Sequence, residues 1–337
     1  MATRRTFLKY ALAMPPAISI GLAAWPARAQ KMSFKLGNSL PSSHPSNMIL
    51  RRALEQIKQE TQGQLEINLF SDGQLGGDSD MLAQVRSGAL EFYVTAGVLI
   101  AALAPAVGII NMPFAFKDYA TVWKAMDGDL GQHVTAAISK MNLHAFDRIW
   151  DNGFRQITSG TRPIAGPDDL KGFKIRVPSS PINAALFKSL GAAPTILNVN
   201  DAYTAMQTHV VDGQENPLVT IAALNFHEVQ KYCALSNHVW DGAFPVANAK
   251  FWGSLPKELQ EVVTRNFAEY ALKQREELAK ANDGLRILLE KKGLQFNSVE
   301  TADFRSVLTR AKFYEAWQKR FGKDAWSLLE KYADPLT

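Results

Sequence analysis

Apolar positions recur with two different periods along the first hundred residues. Residues 33–37 read as a short strand, and Leu65-Glu66-Ile67-Asn68-Leu69-Phe70 alternates as a half-buried strand does. Between them, residues 47–62 carry Met48, Leu50, Leu54 and Ile57 at helical spacing. Residues 78–87 read as a second helix, capped by Asp78 or Ser79 and leading through Gly88 into a strand near 92–95. Strand, helix, strand, helix, strand is the order of a parallel α/β sheet.

The same order returns in the middle of the chain, as a strand over 174–177 ended by Pro178, a helix over 181–190, a strand over 194–197 and a helix over 201–208. The helix-to-strand passages 84–91 and 205–212 line up in pattern, which fits two lobes built alike. Beyond Trp252, Pro256 opens a long amphipathic segment with Leu259, Val262, Val263, Phe267, Tyr270 and Ala271 on one face. Helical to about Lys292, it would run roughly 50 Å, enough to brace both lobes. Asn282-Asp283-Gly284 is a candidate break or bend.

Residues 1–29 read as an export signal. Thr3-Arg4-Arg5-Thr6-Phe7-Leu8-Lys9 precedes an apolar stretch over 11–25 and a small-residue site, Ala27-Arg28-Ala29. Pro15, Pro16 and Gly21 interrupt that stretch, and it is short for a bilayer span. The paired arginines resemble a twin-arginine signal, with a general secretory signal as the alternative. No later apolar run reaches the length of a spanning helix, so the exported protein is expected to be soluble and periplasmic.

Removing the leader changes the charge balance. The chain holds 37 basic and 32 acidic side chains, and the leader carries Arg4, Arg5, Lys9 and Arg28 with no acid, leaving 33 against 32. A balance that even gives no reason to invoke nucleic acid or an acidic membrane surface. The remaining length exceeds what one hydrophobic core usually serves, which points to two lobes. Cys233 is the single cysteine, lies in an apolar run and reads as a small buried hydrophobe, with no intramolecular disulfide available.

The side chains that catalysis would need are not grouped. His44, His133, His144, His209, His227 and His238 are scattered without metal-ligand spacing, so no metal is expected. There is no Gly-x-Ser-x-Gly elbow or glycine-rich phosphate loop, and no cofactor is implied. The chain does not read as an enzyme.

Three segments suit an anion instead: Gly153-Phe154-Arg155, Lys174-Ile175-Arg176-Val177-Pro178 and Asp212-Gly213-Gln214-Glu215-Asn216-Pro217. A guanidinium presents a planar fork to both oxygens of a carboxylate, which the ammonium of lysine cannot copy. Arg176 falls at a strand end, where open α/β sheets bind ligands. A salt bridge to a nearby acid would serve Arg176 equally well on spacing alone. Asn216 could equally shape the turn before Pro217, and Asp78 could be only a helix cap.

The runs 150–156, 169–178 and 211–217 resemble the substrate-binding subunits of tripartite ATP-independent periplasmic (TRAP) transporters, as do Gln74-Leu75-Gly76-Gly77-Asp78 and Leu190-Gly191-Ala192. The likeness covers almost the whole mature chain, in the expected order. It implies an α/β, two-lobed periplasmic binding protein fold, with the ligand cleft between the lobes and a long C-terminal bracing helix. The division drawn is lobe I over 30–152 and 241–280, and lobe II over 153–240 and 281–337. The resemblance also implies that Arg176 pairs with a substrate carboxylate, that Asn216 helps to hold it, and that Arg155 is a second cleft arginine. Ser39 and Asp78 match first-lobe positions able to reach the ligand.

His44, in a loop after the first strand, is a candidate for the cleft or for the turn itself. Trp150, Trp240 and Phe116 are candidate aromatic walls, or lobe core. Sugar-acid-binding relatives carry polar groups where this chain reads Ala96-Gly97-Val98-Leu99-Ile100, which argues against a highly hydroxylated ligand. A compact organic acid is expected: a monocarboxylate, a 2-oxo or 2-hydroxy acid, or a short dicarboxylate. The expected role is a monomeric periplasmic subunit that delivers this acid to integral membrane TRAP subunits for ion-gradient-driven uptake. An extracytoplasmic sensor module for the same ligand class is the alternative.

Overall fold

The computed structural model describes residues 31–333 and Leu336; the leader read at 1–29 lies outside them. The first α/β unit is β1 (Met32–Gly37), α1 (Pro45–Glu60), β2 (Leu65–Phe70), α2 (Asp78–Ser87) and β3 (Phe92–Ala96). Then come α3 (Gly97–Ile100), α4 (Tyr119–Met126), α5 (Asp129–Ser139), β4 (Leu143–Ala145) and β5 (Trp150–Ser159). A second unit follows as β6 (Lys174–Val177), α6 (Pro181–Ser189), β7 (Ala193–Ile196), α7 (Val199–Gln207) and β8 (Gly213–Pro217). The chain continues through α8 (Leu218–Ala223), β9 (Tyr232–Leu235), β10 (Trp240–Asn248), α9 (Ala249–Ser254) and α10 (Lys257–Lys291). It ends with β11 (Gln295–Ser298), α11 (Thr301–Arg310), α12 (Phe313–Phe321) and α13 (Lys323–Glu330).

The main sheet runs β2-β1-β3-β10-β5-β8-β6-β7. Read inward from either edge, three parallel strands are followed by an antiparallel one: β1 lies between β2 and β3, and β6 between β7 and β8. β10 and β5 close the two trios and pair with each other, so these strands join the halves. The passages 84–91 and 205–212, similar in sequence, both lead from the second helix of a unit into its third strand.

Helix α1 buries Ile49, Leu50, Ala53, Leu54 and Ile57, whereas Met48 is 58% exposed, one position off the apolar stripe. Asp78 is the first residue of α2 rather than its cap; Gly77 precedes it, and the Asp80 carboxylate accepts from the Gly77 amide at 3.1 Å. Gly88 ends the helix at φ +88°, where a side chain would be strained.

Helix α10 runs 35 residues through Asn282-Asp283-Gly284 without a break, a length of about 52 Å at the usual rise. A single glycine costs a helix about 1 kcal/mol. Here Lys280–Glu276 and Arg286–Glu290 pairs one turn apart flank it, and Leu278 and Leu289 are buried on either side. The helix packs on α1 in the first unit and on α8 and β11 beyond the second, bridging the halves as the apolar stripe predicts. Helices α12 and α13 lie against the 3-10 turn Pro105–Asn111, and α13 also against α5. These contacts join helices placed in lobe II on sequence to elements placed in lobe I; an amphipathic pattern reveals an apolar face but not what covers it.

Candidate ligand-binding site

The carboxyl ends of both parallel trios open onto one cavity between the halves, with about 60 Å³ of space for the centres of water-sized molecules. Ser39 follows β1, Asp78 opens α2 and Thr95 is the penultimate residue of β3. From the other side come Arg176 in β6, Asn216 in β8 and Thr220 in α8. Arg155 and Trp150 reach it from β5, the joining strand.

Arg176 is 1% exposed, and among the described residues no carboxylate bonds it. Its Nε and Nη2 both donate to the Leu197 carbonyl, at 2.9 and 2.6 Å, which holds the fork in one plane. Among the described residues no protein group bonds Nη1. Burial pushes the guanidinium down to about 10, with the charges of Glu215, Asp78 and Asp201 too weak to offset it. A buried cation in that condition gains most from an anion brought to its free edge.

Arg155 is equally buried but already engaged. Its Nε and Nη2 grip the two oxygens of Glu215, Nη2 also donates to the Glu215 carbonyl at 2.7 Å and to Asn216 Oδ1 at 3.2 Å, and Nη1 approaches Asp241 at 3.4 Å. Burial opposes charge on Glu215, yet the Arg155 guanidinium and the His238 hydrogen bond carry its pKa down to about 2. Since that carboxylate can only accept, His238 donates from Nε2 at 3.1 Å and its Nδ1 accepts from Ser236 Oγ at 2.8 Å. The Asp241 carboxylate also accepts from Asn111 and Val98 on one oxygen and from Asn152 on the other.

The local backbone explains this convergence. Asn152 is an extra residue in β5 opposite the step from Asp241 to Gly242, a bulge that lets its amide bond the Asp241 carboxylate at 3.0 Å. Gly153 takes φ +118° beside it, and a Cβ there would sit 3.0 Å from Pro217. The glycine before Phe154-Arg155 is thus a backbone requirement that sets the exit angle of the arginine.

The sequence pattern of bacterial extracellular solute-binding protein family 7 matches residues 36–323. The chain belongs to this family. It is a solute-binding protein of the TRAP type and not an enzyme. It is 30% identical over 271 residues to the 2,3-diketo-L-gulonate-binding periplasmic protein YiaO of Escherichia coli, covering 79% of this chain and 82% of that one. A sugar acid binding protein from Advenella mimigardefordensis, solved with galactonate, superposes with a TM-score of 0.86 at 27% identity, over 90% of this chain and 98% of that one. A TRAP solute binding protein from Sulfurospirillum deleyianum with bound succinate gives 0.83 at 27% identity, over 90% and 98%.

Within this family-7 chain, six of the eight residues nominated from sequence line the cavity: Ser39, Asp78, Trp150, Arg155, Arg176 and Asn216. His44 and Trp240 do not. His44 caps α1, its Nδ1 accepting from the Ser46 amide at 3.2 Å, and burial lowers its pKa to about 4, so the ring is neutral near pH 7. Trp240 stacks edge-on against Phe116 and Trp123 and donates to Asp151 at 3.0 Å; Phe116 is core as well. Both are polar at one edge, but His44 Nδ1 is spent on the end of α1 and Trp240 Nε1 on the buried Asp151 carboxylate, and neither residue lines the cavity.

Asp151 brings its own pH signature. Burial raises its carboxyl to about 7, against the hydrogen bonds from Trp240 and Tyr119 and the charge of Arg275. A raised carboxyl binds a proton in the folded state that the unfolded chain releases near pH 4, so its stabilising contribution is full below about pH 4 and lost as pH rises through about 7. Asp151→Asn removes the titration while keeping an acceptor for Trp240. Thermal unfolding between pH 5 and 9 should show the variant gaining on the wild type as pH rises; parallel curves would remove Asp151 from the account.

The halves also touch across the cavity mouth. Asn200 donates to the Ser39 carbonyl at 3.3 Å, and Asn198 packs so close to Gly77 that a Cβ there would lie 2.7 Å from its amide. Sequence reading did not nominate Asn38, Asn152, Thr95 or Thr220, all of which line the cavity. Asn152 sat inside the Trp150–Arg155 run and could have been found there. Thr220, in a short apolar helix, carried no signal.

Proposed function

We propose that this protein binds a compact organic acid between two hinged lobes, pairs its carboxylate with Arg176, and delivers it in the periplasm to integral membrane TRAP subunits for ion-gradient-driven uptake. The observation that carries the reading is the buried Arg176 fork, held by one backbone carbonyl and matched by no acid. Asn216 is positioned beside it by Gln214, which accepts from its Nδ2 at 2.6 Å, and by Arg155. In this reading Arg155 acts chiefly by orienting Asn216, while Ser39, Asp78 and Trp150 meet the ligand from the other lobe.

Strands β5 and β10 would serve as the hinge, and the Asn200–Ser39 contact belongs to the closed form. A ligand touching both lobes favours closure through its higher affinity for that state. Relatives named for 2,3-diketo-L-gulonate, galactonate and succinate support an acid as the cargo. No helix among the described residues is long and apolar enough to cross a membrane, in keeping with a subunit that hands its ligand on. The monomer suits a two-lobed closure that needs no second copy.

Thermal unfolding of the purified protein against a panel of organic acids tests the reading, with mass spectrometry of any small molecule released on denaturation. A cognate acid at about a hundred times its Kd stabilises by about 2.7 kcal/mol, a rise of roughly 4 °C for a protein this size. A panel without any shift, together with a released molecule that carries no carboxylate, would reject it.

A further inference from the structure

Two hydroxyls that line the cavity make no well-formed hydrogen bond among the described residues, although the Tyr93 phenol interacts with that of Thr95. Thr95, at the end of β3, is 3% exposed, and Thr220, in α8, is 1% exposed; the Oγ1 atom of each is buried and without such a bond. Buried hydroxyls are ordinarily bonded. Other polar groups around them are spoken for: Asn38 bonds the Val94 carbonyl and the Leu40 amide, Asn152 bonds Asp241, and Asn216 bonds Gln214 and Arg155.

The charges lining the cavity are equally uneven. Arg155 is matched by Glu215 and Asp241, so Arg176 is the cation left for an incoming carboxylate. Asp78 faces the same space, 3% exposed, with Tyr93 donating to one carboxylate oxygen at 3.2 Å and, among the described residues, no donor on the other. A second carboxylate on the ligand would meet Asp78 with no free cation to balance it. A hydroxyl would find Asp78 as an acceptor and a threonine as donor or acceptor. The neighbouring Val98 and Leu99 keep the remaining wall apolar.

We propose that Thr95 and Thr220 are specificity-determining contacts and that, with Asp78, they select a sparsely hydroxylated monocarboxylate over a dicarboxylate. The inference rests on the carboxylate–Arg176 reading above. Hydroxyl recognition by buried polar groups discriminates strongly because the analogue without the hydroxyl leaves them unpaired.

Calorimetric titration of the purified full chain with 2-hydroxybutyrate, 3-hydroxybutyrate, butyrate and succinate tests it. One hydroxybutyrate should bind at least about tenfold tighter than both butyrate and succinate. Thr95→Val and Thr220→Val, which keep the shape, should each shrink the hydroxybutyrate-to-butyrate preference severalfold, and Asp78→Asn should raise succinate affinity relative to hydroxybutyrate. Tightest binding by succinate or butyrate overturns the proposal. So does a preference unchanged in both valine variants, since the threonines would then only pack. Acids that bind in an Arg176-dependent way without hydroxyl preference sink this inference alone, whereas acids that bind equally well without Arg176 sink the underlying site.

Discussion

Replacing Arg176 with methionine should weaken binding of the cognate acid at least about a hundredfold and, at the same time, leave the ligand-free protein as stable as the wild type or more so. Removing one partner of a buried charge pair typically costs about 3–5 kcal/mol, which is two to three decades in Kd. The stability half of the expectation comes from the ligand-free site, where burial takes the guanidinium down to about 10. A cation whose pKa falls on folding is disfavoured in the fold, so its charge costs stability at every pH below about 10, and the cost fades only as pH rises towards its ordinary value. Methionine, unbranched and of similar length, removes that cost.

Binding lost with the melting temperature held or raised is the signature of a site that trades stability for function. Binding lost together with a large fall in melting temperature would mean that Arg176 is a structural group. Arg176→Lys sharpens the geometric claim, because it retains charge and loses the fork; near-native affinity in that variant would show that a point charge suffices.

The second large effect is expected at the Arg155–Glu215 pair. Glu215→Leu leaves a buried guanidinium with Asp241 as its acidic partner, and should lower stability by about 3–5 kcal/mol, roughly 5–8 °C in melting temperature. The double variant Arg155→Met/Glu215→Leu should recover much of that loss, since an apolar pair of similar volume avoids two desolvation costs. A double-mutant cycle reads the coupling directly. Losses that simply add would show that the contact is incidental. The wild-type pair also sets an acid limit: Glu215 is held at about 2, below the ordinary carboxylate range, so its contribution is full above the ordinary value and is lost as pH falls towards 2.

These two arginines illustrate what the chain discloses and what it withholds. Both stand in motif-like segments with a positioning glycine or proline nearby, and both were legible as anion-binding candidates. Their different occupations were not. Glu215, Asp241 and His238, the groups that occupy or surround Arg155, lie 60 to 86 positions away in sequence. Only the antiparallel closure of β5 on β8 and β10 brings them together.

The same reason explains His44 and Trp240. Each stood near cleft-forming segments, but a helix end holds His44 through Nδ1 and a buried carboxylate holds Trp240 through Nε1, away from the cavity lining. It also explains Thr95 and Thr220, ordinary residues whose hydroxyls acquire meaning only because, among the described residues, neither makes a well-formed hydrogen bond. No break occurs at Asn282-Asp283-Gly284, because tertiary burial along α10 outweighs one weak helix former.

By itself the sequence determined the periodic matters: two βαβαβ units, their stops at glycine and proline, the long bracing helix, and Arg176 near a strand end. Those are local consequences of backbone geometry and of which side chains avoid water, and they depend on neighbours within a turn or two. The tertiary structure alone decided which guanidinium is matched and which is left open to a ligand, and which polar groups end unpaired in the cavity. Charge pairing and hydrogen bonding act over a few ångströms in space, and no short-range pattern along a chain encodes which distant segments the sheet will bring within that distance.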